Sequence, residues 1–289
     1  MTPQNKIIVI TGANSGIGFA TALALAKQGA TIVSVCRNAD RGTMALKAIS
    51  AVAAASPRLF IADLSSQASI RELAENLHEQ LPRIDVLINN AGAAFAKREY
   101  TVDRIEKTFA INHLAPFLLT NLVLGLLRQS SEARIVNVVT GMFPSLPTSF
   151  WDNLQSEKSY GQFAAYRLSK VGQVLFTYEL ARRLDRTSIT VNCVHPGPVK
   201  TQFTQKAGGF LSVMSRILRP IMKSPEAGAR TPIFLAAAPE VARITGGFFM
   251  NCKQKKTAAF TYDRAIAEKH WEISEQLTSL NSATTSKRR

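Results

Sequence analysis

The sequence predicts a single α/β domain built on one sheet. Three observations carry this prediction: short β-branched runs alternate with helix-patterned segments, a glycine-rich turn follows the first run, and no linker or repeat divides the chain. Apolar strands that alternate with helices pair in parallel and are covered on both faces. Because crossovers between such strands are right-handed, we expect a Rossmann-type, doubly wound parallel sheet flanked by helices.

The elements follow from periodicity and from glycine and proline punctuation. Strands are predicted at residues 7–10, 31–36, 59–62, 86–89, 135–139, 189–194 and 248–251. Helices are predicted at residues 17–28, 40–50, 66–80, 105–127 and 163–183.

Two stretches fall outside this alternation. Residues 141–160 contain Pro144 and Pro147, which indicate a long loop. Residues 203–225 carry apolar side chains at helical spacing together with basic ones, which predicts an amphipathic helix. We therefore expect one domain over residues 1–281, with a substrate lid near 203–225 and a disordered basic tail at 282–289.

Composition narrows the class of protein. Hydrophobic residues make up 46% of the 289 residues, which excludes a disordered chain. The chain has 35 Lys and Arg against 20 Asp and Glu, a net charge of +15 that suits anionic ligands or membrane surfaces. Because the basic residues form no stripe with interleaved aromatics, we expect no nucleic-acid partner.

Cysteine usage and hydropathy bear on location. The three cysteines, Cys36, Cys193 and Cys252, are too widely spaced for a disulfide frame, and no residues show metal-ligand spacing. No signal peptide and no run of about 18 apolar residues is visible. The expectation is a cytoplasmic protein without a metal, and a basic amphipathic helix is compatible with peripheral membrane contact.

A glycine-rich turn joins the first strand to the first helix. Gly12, Gly16 and Gly18 are spaced Gly-x-x-x-Gly-x-Gly, which differs from the Gly-x-Gly-x-x-Gly fingerprint. Glycines here permit a tight turn and bring a pyrophosphate close to backbone N–H groups at a helix N-terminus. The turn predicts nucleotide binding.

A Tyr and a Lys four residues apart lie in the helix predicted at 163–183. Tyr166 and Lys170 share one helix face, so the ammonium can approach the phenol oxygen. A nearby positive charge lowers the pKa of a tyrosine from its ordinary value near 10, and such a tyrosine can exchange a proton with a carbonyl or alcohol oxygen. Alone, the pair would indicate only a solvated i,i+4 contact; the glycine turn favours catalysis.

Five motifs occur in one order: Thr11-Gly-Ala-Asn-Ser-Gly-Ile-Gly18, Asn89-Asn-Ala-Gly92, Asn112, Tyr166-x-x-x-Lys170 and Pro196-Gly197. Together they resemble the short-chain dehydrogenase/reductases over residues 6 to about 250. Finer stretches, Cys36-Arg37-Asn38 and Phe109-Ala-Ile-Asn-His-Leu114 among them, are similar to the retinol-dehydrogenase-like branch.

The resemblance implies a catalytic set. Tyr166 would be the general acid in reduction, Lys170 would lower its pKa and bind the nicotinamide ribose, and Asn112 would hold a relay water. The family normally has a Ser after the fifth strand, where Thr140 aligns; Thr offers the same hydroxyl with an added methyl. Ser145 is a lesser candidate.

The resemblance also implies cofactor contacts. Asp63 would contact the adenine amino group, although it could also cap the helix that begins near Ser65. His195 is interpreted as structural. The other implied cofactor residues are Gly12, Asn14, Ser15, Gly16, Ile17, Gly18, Arg37, Asn38, Leu64, Asn89, Ala91, Gly92, Tyr166, Lys170, Pro196, Gly197, Val199 and Thr201.

Cofactor choice can be argued from the end of the second strand. NAD enzymes of this type place an acidic residue there, which accepts from the ribose 2′-OH. Here Cys36 and Arg37 occupy that place, with Asn38 and Arg41 nearby. Because a guanidinium binds a 2′-phosphate well, we expect NADP(H) over NAD(H).

The expected function is interconversion of a carbonyl and an alcohol on an apolar substrate such as a retinoid, steroid, aldehyde or polyketide-like ketone. Reduction is favoured because cells keep NADPH reduced. The candidate substrate contacts, whose alternative is ordinary core or a dimer face, are Phe143, Trp151, Phe203, Phe210 and Met214.

Two other functions stay open: a light-dependent reductase of the protochlorophyllide type, and a non-catalytic NADP(H)-binding scaffold or sensor, motivated by Thr140. A homodimer through helices 105–127 and 163–183 is also open, with the apolar segment 265–280 able to alter it.

Overall fold

The computed structural model describes residues 3–141, 151–200 and 222–280. Their strands form one eight-stranded sheet in the order β3-β2-β1-β4-β5-β6-β7-β8. All neighbouring strands are parallel except β7 and β8, which are antiparallel. The strands are β1 (Ile7–Thr11), β2 (Thr31–Cys36), β3 (Arg58–Ile61), β4 (Val86–Asn89), β5 (Ala133–Val138), β6 (Ile189–His195), β7 (Gly247–Met250) and β8 (Lys253–Lys255). The predicted doubly wound fold is confirmed.

Helices cover both faces of this sheet. They are α1 (Gly16–Lys27), α2 (Ala39–Ser50), α3 (Gln67–Gln80), α4 (Lys107–Phe109), α5 (Ala115–Leu122), α6 (Leu124–Arg128), α7 (Gln162–Arg183), α8 (Pro225–Ala237) and α9 (Arg264–Thr278). A π-helical segment, Ala110–Leu114, joins α4 to α5.

The core is divided by the sheet, because successive side chains of a strand point to opposite faces. Val9 of β1 packs with α3, α5 and α7 on one face, in a cluster that includes Phe117 and Phe176. Ile8 packs with α1, α2 and α8 on the other, in a cluster that includes Leu25. Burial of both faces explains why the strands are near-continuous apolar runs.

The helix predicted at 105–127 is broken in the structure. The π-helical segment replaces one α-helical turn, and Pro116, which lacks a backbone N–H, follows it directly in α5. Extra residues in a π turn are frequent at functional sites, and this one carries Asn112. A uniform apolar pattern could not reveal such a local change of pitch.

Three elements were not predicted. Helix α8 begins with Ser224 as N-cap and Pro225 at its first position, a start signal obscured by the helix predicted at 203–225. That helix prediction is wrong at its end, since Lys223 pairs with Val199 in a β-bridge, and its remainder to residue 221 lies outside the described residues. Helix α9 and strand β8 are the other two.

Helix α9 covers the face formed by α5 and α7. The Trp271 ring packs 4.9 Å from that of Phe117 and 5.9 Å from that of Phe176, measured between ring centroids. Gln67 of α3 donates to the carbonyl of Leu277, which fixes the end of α9. The helix pair offered by the sequence as a dimer face is thus packed against α9 of the same chain.

We expect Trp271→Ala to lower the free energy of unfolding by about 3–5 kcal/mol, because it removes a buried indole from two aromatic partners. Urea denaturation followed by circular dichroism measures this. Gln276→Ala is the control, since Gln276 is an exposed residue of the same helix and should change stability by less than about 0.5 kcal/mol. Equal losses in the two variants would contradict a packing role for Trp271.

Candidate active site

Polar residues of the predicted site gather where the parallel strands end. The carboxyl ends of β1, β4, β5 and β6 meet at one edge of the sheet, where open α/β folds bind ligands. Thr11 ends β1, Asn89 ends β4, Thr140 lies two residues beyond β5, and Pro196 follows β6. The fold therefore brings residues far apart in sequence to one edge.

The glycine-rich turn is tied to the residues after β4. The Thr11 hydroxyl accepts from the backbone N–H groups of Asn90 and Ala91, both at 3.0 Å. In return, the Asn90 amide donates to the Thr11 carbonyl at 2.9 Å. Gly12 has a φ of +70°, which glycine adopts without strain.

Gly18 is required by a close approach. A Cβ atom there would overlap both the Asn90 amide nitrogen and the carbonyl oxygen of Gly12. Helix α1 therefore starts directly against the turn, with Ser15 as its N-cap residue and Gly16 and Ile17 in its first turn. This leaves the N-terminus of α1 directed at the turn, the arrangement that binds a pyrophosphate.

A narrow recess lies beside this turn, and predicted cofactor residues line part of it. Thr11, Leu64, Asn89, Ala91 and Ile111 are among its lining residues.

Asp63 lies one residue before Leu64. Its carboxylate accepts from the backbone N–H and the hydroxyl of Ser65, at 2.9 and 2.8 Å. The alternative role as a helix cap is wrong, because Ser66 is the N-cap of α3 and accepts from Ser69 N–H.

An exposed arginine, Arg37, directly follows the end of β2. It makes no hydrogen bond or ion pair within the ranges that the structure describes. Asn38 caps α2, its side-chain oxygen accepting from Arg41 N–H at 2.9 Å, so that its amide oxygen is already used. Cys36 is buried, and burial raises the pKa of its thiol.

Lys170 lies in α7 with its ammonium group buried. It donates to the carbonyl of Val138, at the end of β5, at 2.7 Å and to the side-chain oxygen of Gln173 at 2.9 Å. Burial lowers the pKa of Lys170 to about 7. The end of β5 and helix α7 thus hold one buried ammonium group.

Tyr166 lies one turn before Lys170 in α7 and is partly buried. Burial raises the pKa of Tyr166 to about 12. The sequence predicts the opposite direction, from the charge on Lys170. The physical reason for the difference is desolvation of the phenolate, together with an ammonium group that is engaged by Val138 and Gln173.

Asn112 connects the π-helical segment to both neighbouring parts of the site. Its amide donates to the carbonyl of Ala93 at 2.8 Å and to the hydroxyl of Ser169 at 3.0 Å. Its oxygen accepts from Ala93 N–H at 2.7 Å. Both amide protons are therefore used. The relay water implied by the resemblance would have to donate a hydrogen bond to Asn112 rather than accept one from its amide.

Gly92 lies between these groups. A Cβ atom there would be 3.2 Å from the Asn112 side-chain oxygen and 3.7 Å from the Lys170 ammonium. The Asn89-Asn-Ala-Gly92 motif thus ends next to α7, and a side chain at position 92 would crowd the Asn112 oxygen.

Thr140 and His195 follow neighbouring strands. Thr140 is 3% exposed, and a Cβ atom on the adjacent Gly141 would come within 2.7 Å of the His195 ring. Burial lowers the pKa of His195, which keeps the imidazole neutral and agrees with a structural role. Gly197 has a φ of +86°, as the turn after β6 requires.

Of the predicted residues that remain outside the glycine-rich turn, Val199 and Trp151 are described by the structure, and the others lie outside the described ranges. Val199 is buried and bridges Lys223, whereas Thr201 lies outside the described residues. The same holds for Phe143, Ser145, Phe203, Phe210 and Met214. Trp151 is described, and its ring lies 5.7 Å from that of His270 in α9, so that it packs in a secondary core. Its predicted contact with a substrate stays a prediction.

Other residues of the site were missed by sequence reasoning. Asn90 and Ser169 lie inside the quoted motifs, but their side-chain partners come from distant segments. Gln173 is three residues after Lys170, a spacing at which side chains on a helix meet, and that spacing could have drawn attention to it.

The described part of the chain contains neither a metal-binding cluster nor a membrane-spanning helix. No group of three or more His, Cys, Asp or Glu side chains in residues 3–141, 151–200 and 222–280 is arranged to hold a metal ion. Within the same ranges, no helix has the length and hydropathy that crossing a membrane requires.

The fold and the site together define a nucleotide-binding oxidoreductase. The profile of the short chain dehydrogenase family matches residues 6–209, and the chain belongs to this family, in its retinol-dehydrogenase-like branch. It is 38% identical to human retinol dehydrogenase 14 over 294 residues, covering 96% of this chain and 87% of that protein.

Solved structures give the same fold. A putative uncharacterized protein from Mycobacterium paratuberculosis superposes with a TM-score of 0.72 at 28% identity, covering 96% of this chain and 94% of the other. A putative NAD(P)-dependent gluconate 5-dehydrogenase from Beutenbergia cavernae, crystallised with NADP, gives a TM-score of 0.68 at 25% identity, covering 85% and 94%.

Proposed function

We propose that this oxidoreductase uses NADPH to reduce a carbonyl group on an apolar substrate, with Tyr166 as the proton donor. The observation that carries the proposal is the buried Lys170 ammonium, held at the end of β5 and one helical turn from Tyr166. A surface i,i+4 pair would instead be solvated, with neither group buried.

The residues at the sheet edge are compatible with a nicotinamide dinucleotide. Gly12 and Gly18 let the turn and the start of α1 pack closely against Asn90, where a Cβ atom would meet protein atoms. This packing directs the backbone N–H groups at the helix N-terminus toward the place of a pyrophosphate. Asp63 and Leu64 border the recess for the adenine end, and Pro196, Gly197 and Val199 follow β6 for the nicotinamide end. The bound cofactor would supply the hydride.

Residues of the protein supply the proton, orient the substrate oxygen and stabilise the phenolate. Tyr166 gives its phenolic proton to the carbonyl oxygen as that oxygen becomes an alcohol, and Thr140 orients the oxygen through its hydroxyl. Lys170 binds the nicotinamide ribose and stabilises the phenolate that forms. Asn112 and Ser169 hold the helix and the segment after β4 in register around this step.

The reductive direction has a physical argument. With a pKa of about 12, Tyr166 is protonated throughout the neutral range and can donate. Oxidation of an alcohol needs the phenolate as base, which is scarce at that pKa. The protonated form of Tyr166, which reduction requires, is therefore the form present at neutral pH, and this supports the proposed direction.

The proposed substrate class is supported by similarity to a retinol dehydrogenase. Retinol dehydrogenase 14 is named for a long apolar alcohol, and this chain matches nearly its whole length. A retinoid, steroid, alkyl aldehyde or polyketide-like ketone is the class proposed here. Contact with a membrane surface is a compatible route for such substrates, given the net charge of +15.

The test follows consumption of NADPH and NADH at 340 nm against retinal, steroid ketones, alkyl aldehydes and quinones. Turnover with NADPH that depends on Tyr166 supports the proposal. Tight NADPH binding without turnover on any substrate would favour the scaffold function, and recovery of activity by Thr140→Ser would then identify Thr140 as the cause.

Cofactor choice has its own variant. We expect Arg37→Asp to raise the Kd for NADPH about 10- to 100-fold and to lower the preference for NADPH over NADH. The substitution removes the guanidinium that would pair with the 2′-phosphate and introduces a carboxylate that accepts from the ribose 2′-hydroxyl. Fluorescence titration with each cofactor measures both constants.

Arg128→Asp is the matched control for this variant. It makes the same change in net charge on an exposed residue at the end of α6, which precedes β5 and so lies at the opposite edge of the sheet. An equal loss of NADPH affinity in both variants would mean that Arg37 acts only through the overall charge.

A further inference from the structure

Gln173 is a polar residue buried in α7, the helix that carries Tyr166 and Lys170. Its side chain is fully buried, in a stretch of the helix whose buried neighbours include the apolar Val171, Val174 and Leu175. Its side-chain oxygen accepts from the Lys170 ammonium at 2.9 Å. Its amide nitrogen is buried with no hydrogen-bond partner among the described residues.

The orientation of this amide is fixed by its neighbour. An ammonium has three donors and no acceptor, so the opposite orientation of the amide would place N–H groups against N–H groups. The oxygen must therefore face Lys170. A buried amide donor without a partner is rare in native proteins and calls for an explanation, which here is the bond that the oxygen makes.

We propose that Gln173 is a positioning residue for the reaction: with the Val138 carbonyl it holds the Lys170 ammonium, leaving the third N–H for the cofactor ribose. The inference rests on the proposed function, because it assigns Gln173 a part in that reaction. Val138 is fixed by the sheet and offers a backbone oxygen, so the side chain at 173 is the adjustable half of this cradle.

Burial is the cause of the lowered pKa of Lys170, and no charged neighbour contributes to the shift. Titratable side chains on α7 and on the elements that contact it include Tyr166 of α7, Glu106 at the start of α4, His113 of the π-helical segment, Cys193 and His195 of β6, and His270 of α9. Burial raises the pKa of Tyr166 and Cys193 and lowers that of His113, His195 and His270, so these groups are neutral near pH 7. Glu106 is occupied by the N–H groups of Thr108 and Phe109.

The sign of the effect follows from the bond. The pKa of Lys170 is about 7, so the ammonium is present below that pH and is lost as the pH rises through it. Removing an acceptor destabilises the charged form and lowers this pKa further; replacing it by a carboxylate raises it. The alkaline limb of reductive turnover should move in the same two directions.

The experiment measures the pKa of Lys170 directly, by NMR titration of protein labelled at the lysine side-chain nitrogen. The Lys170 signal is the one that Lys170→Arg removes. We expect Gln173→Leu to lower this pKa, and Gln173→Glu to raise it, each by about one unit or more. If Gln173→Leu does not fold, Gln173→Asn withdraws the same oxygen by one methylene and should give a smaller shift downward.

The matched control is Tyr178→Phe. It deletes a largely buried hydroxyl on the same helix, one that bonds Thr257 at 2.9 Å, and should leave the Lys170 pKa unchanged. Loss of general helix stability would shift every variant in one direction. Opposite shifts for Leu and Glu support the inference, whereas an unmoved pKa, or shifts of the same sign, overturns it.

A kinetic arm separates this inference from the proposed function. The pH dependence of kcat with NADPH should move with the NMR value in each variant. Absence of Tyr166-dependent turnover in the wild-type protein would defeat the proposed function, and the NMR titration would still decide whether Gln173 holds the ammonium. If the wild-type protein shows Tyr166-dependent turnover, but the Gln173 variants leave both the alkaline limb of kcat and the Lys170 pKa unchanged, only the inference about Gln173 is defeated.

Discussion

Tyr166→Phe is expected to reduce kcat for carbonyl reduction about 10²- to 10⁴-fold, the range that a positioned general acid contributes. Phenylalanine keeps the ring in the half-buried site and removes only the proton that is given to the carbonyl oxygen. Because the ring stays in place and the other implied cofactor residues are unchanged, the Kd for NADPH should change less than about threefold. Initial rates at 340 nm and a fluorescence titration measure the two effects.

Tyr178→Phe is the control for that loss. It removes a hydroxyl from the same helix, three turns away from Tyr166, and costs the hydrogen bond to Thr257. We expect stability to fall by about 1 kcal/mol and kcat to be unchanged. A comparable drop in kcat in both variants would indicate damage to α7 as a whole, and full activity in Tyr166→Phe would remove Tyr166 from the mechanism.

The order of strands and helices was predictable because it depends on local periodicity. Strands such as Val86–Asn89 were predicted with their observed bounds, since a short apolar run followed by a polar residue determines both. Helix α9 was recognised only as an apolar segment, because the packing of its largest buried side chain, Trp271, depends on Phe117 and Phe176, which are distant in sequence.

The site was predictable to the extent that motifs name residues. Lys170 and Asn112 were both identified, but their partners were not, because hydrogen bonds to Val138, Ala93 and Ser169 depend on how distant segments meet. The direction of the Tyr166 pKa shift was wrong for the same reason. Sequence spacing gives the neighbouring charge, whereas burial, the stronger effect here, comes from the assembled fold.

Gly18→Ala is expected to raise the Kd for NADPH about 10- to 100-fold, since overpacking of this kind costs about 1–3 kcal/mol. The added methyl would overlap the Gly12 carbonyl, a backbone atom that cannot rotate aside, and the Asn90 amide, which is held by the Thr11 carbonyl. The turn and the N-terminus of α1 must therefore separate, and the backbone N–H groups lose the geometry that a pyrophosphate needs.

Gly125→Ala tests whether any helical glycine would behave the same way. In α6 the new Cβ atom would meet only the end of the His78 ring at 3.3 Å, and His78 lies on the surface. We expect unchanged NADPH affinity and a stability change within about 1 kcal/mol. Binding is measured below the melting transition of each variant, so that folded protein is compared with folded protein. An unaltered Kd in folded Gly18→Ala would show that the turn yields without cost, and the close approach at Gly18 would then have no part in cofactor binding.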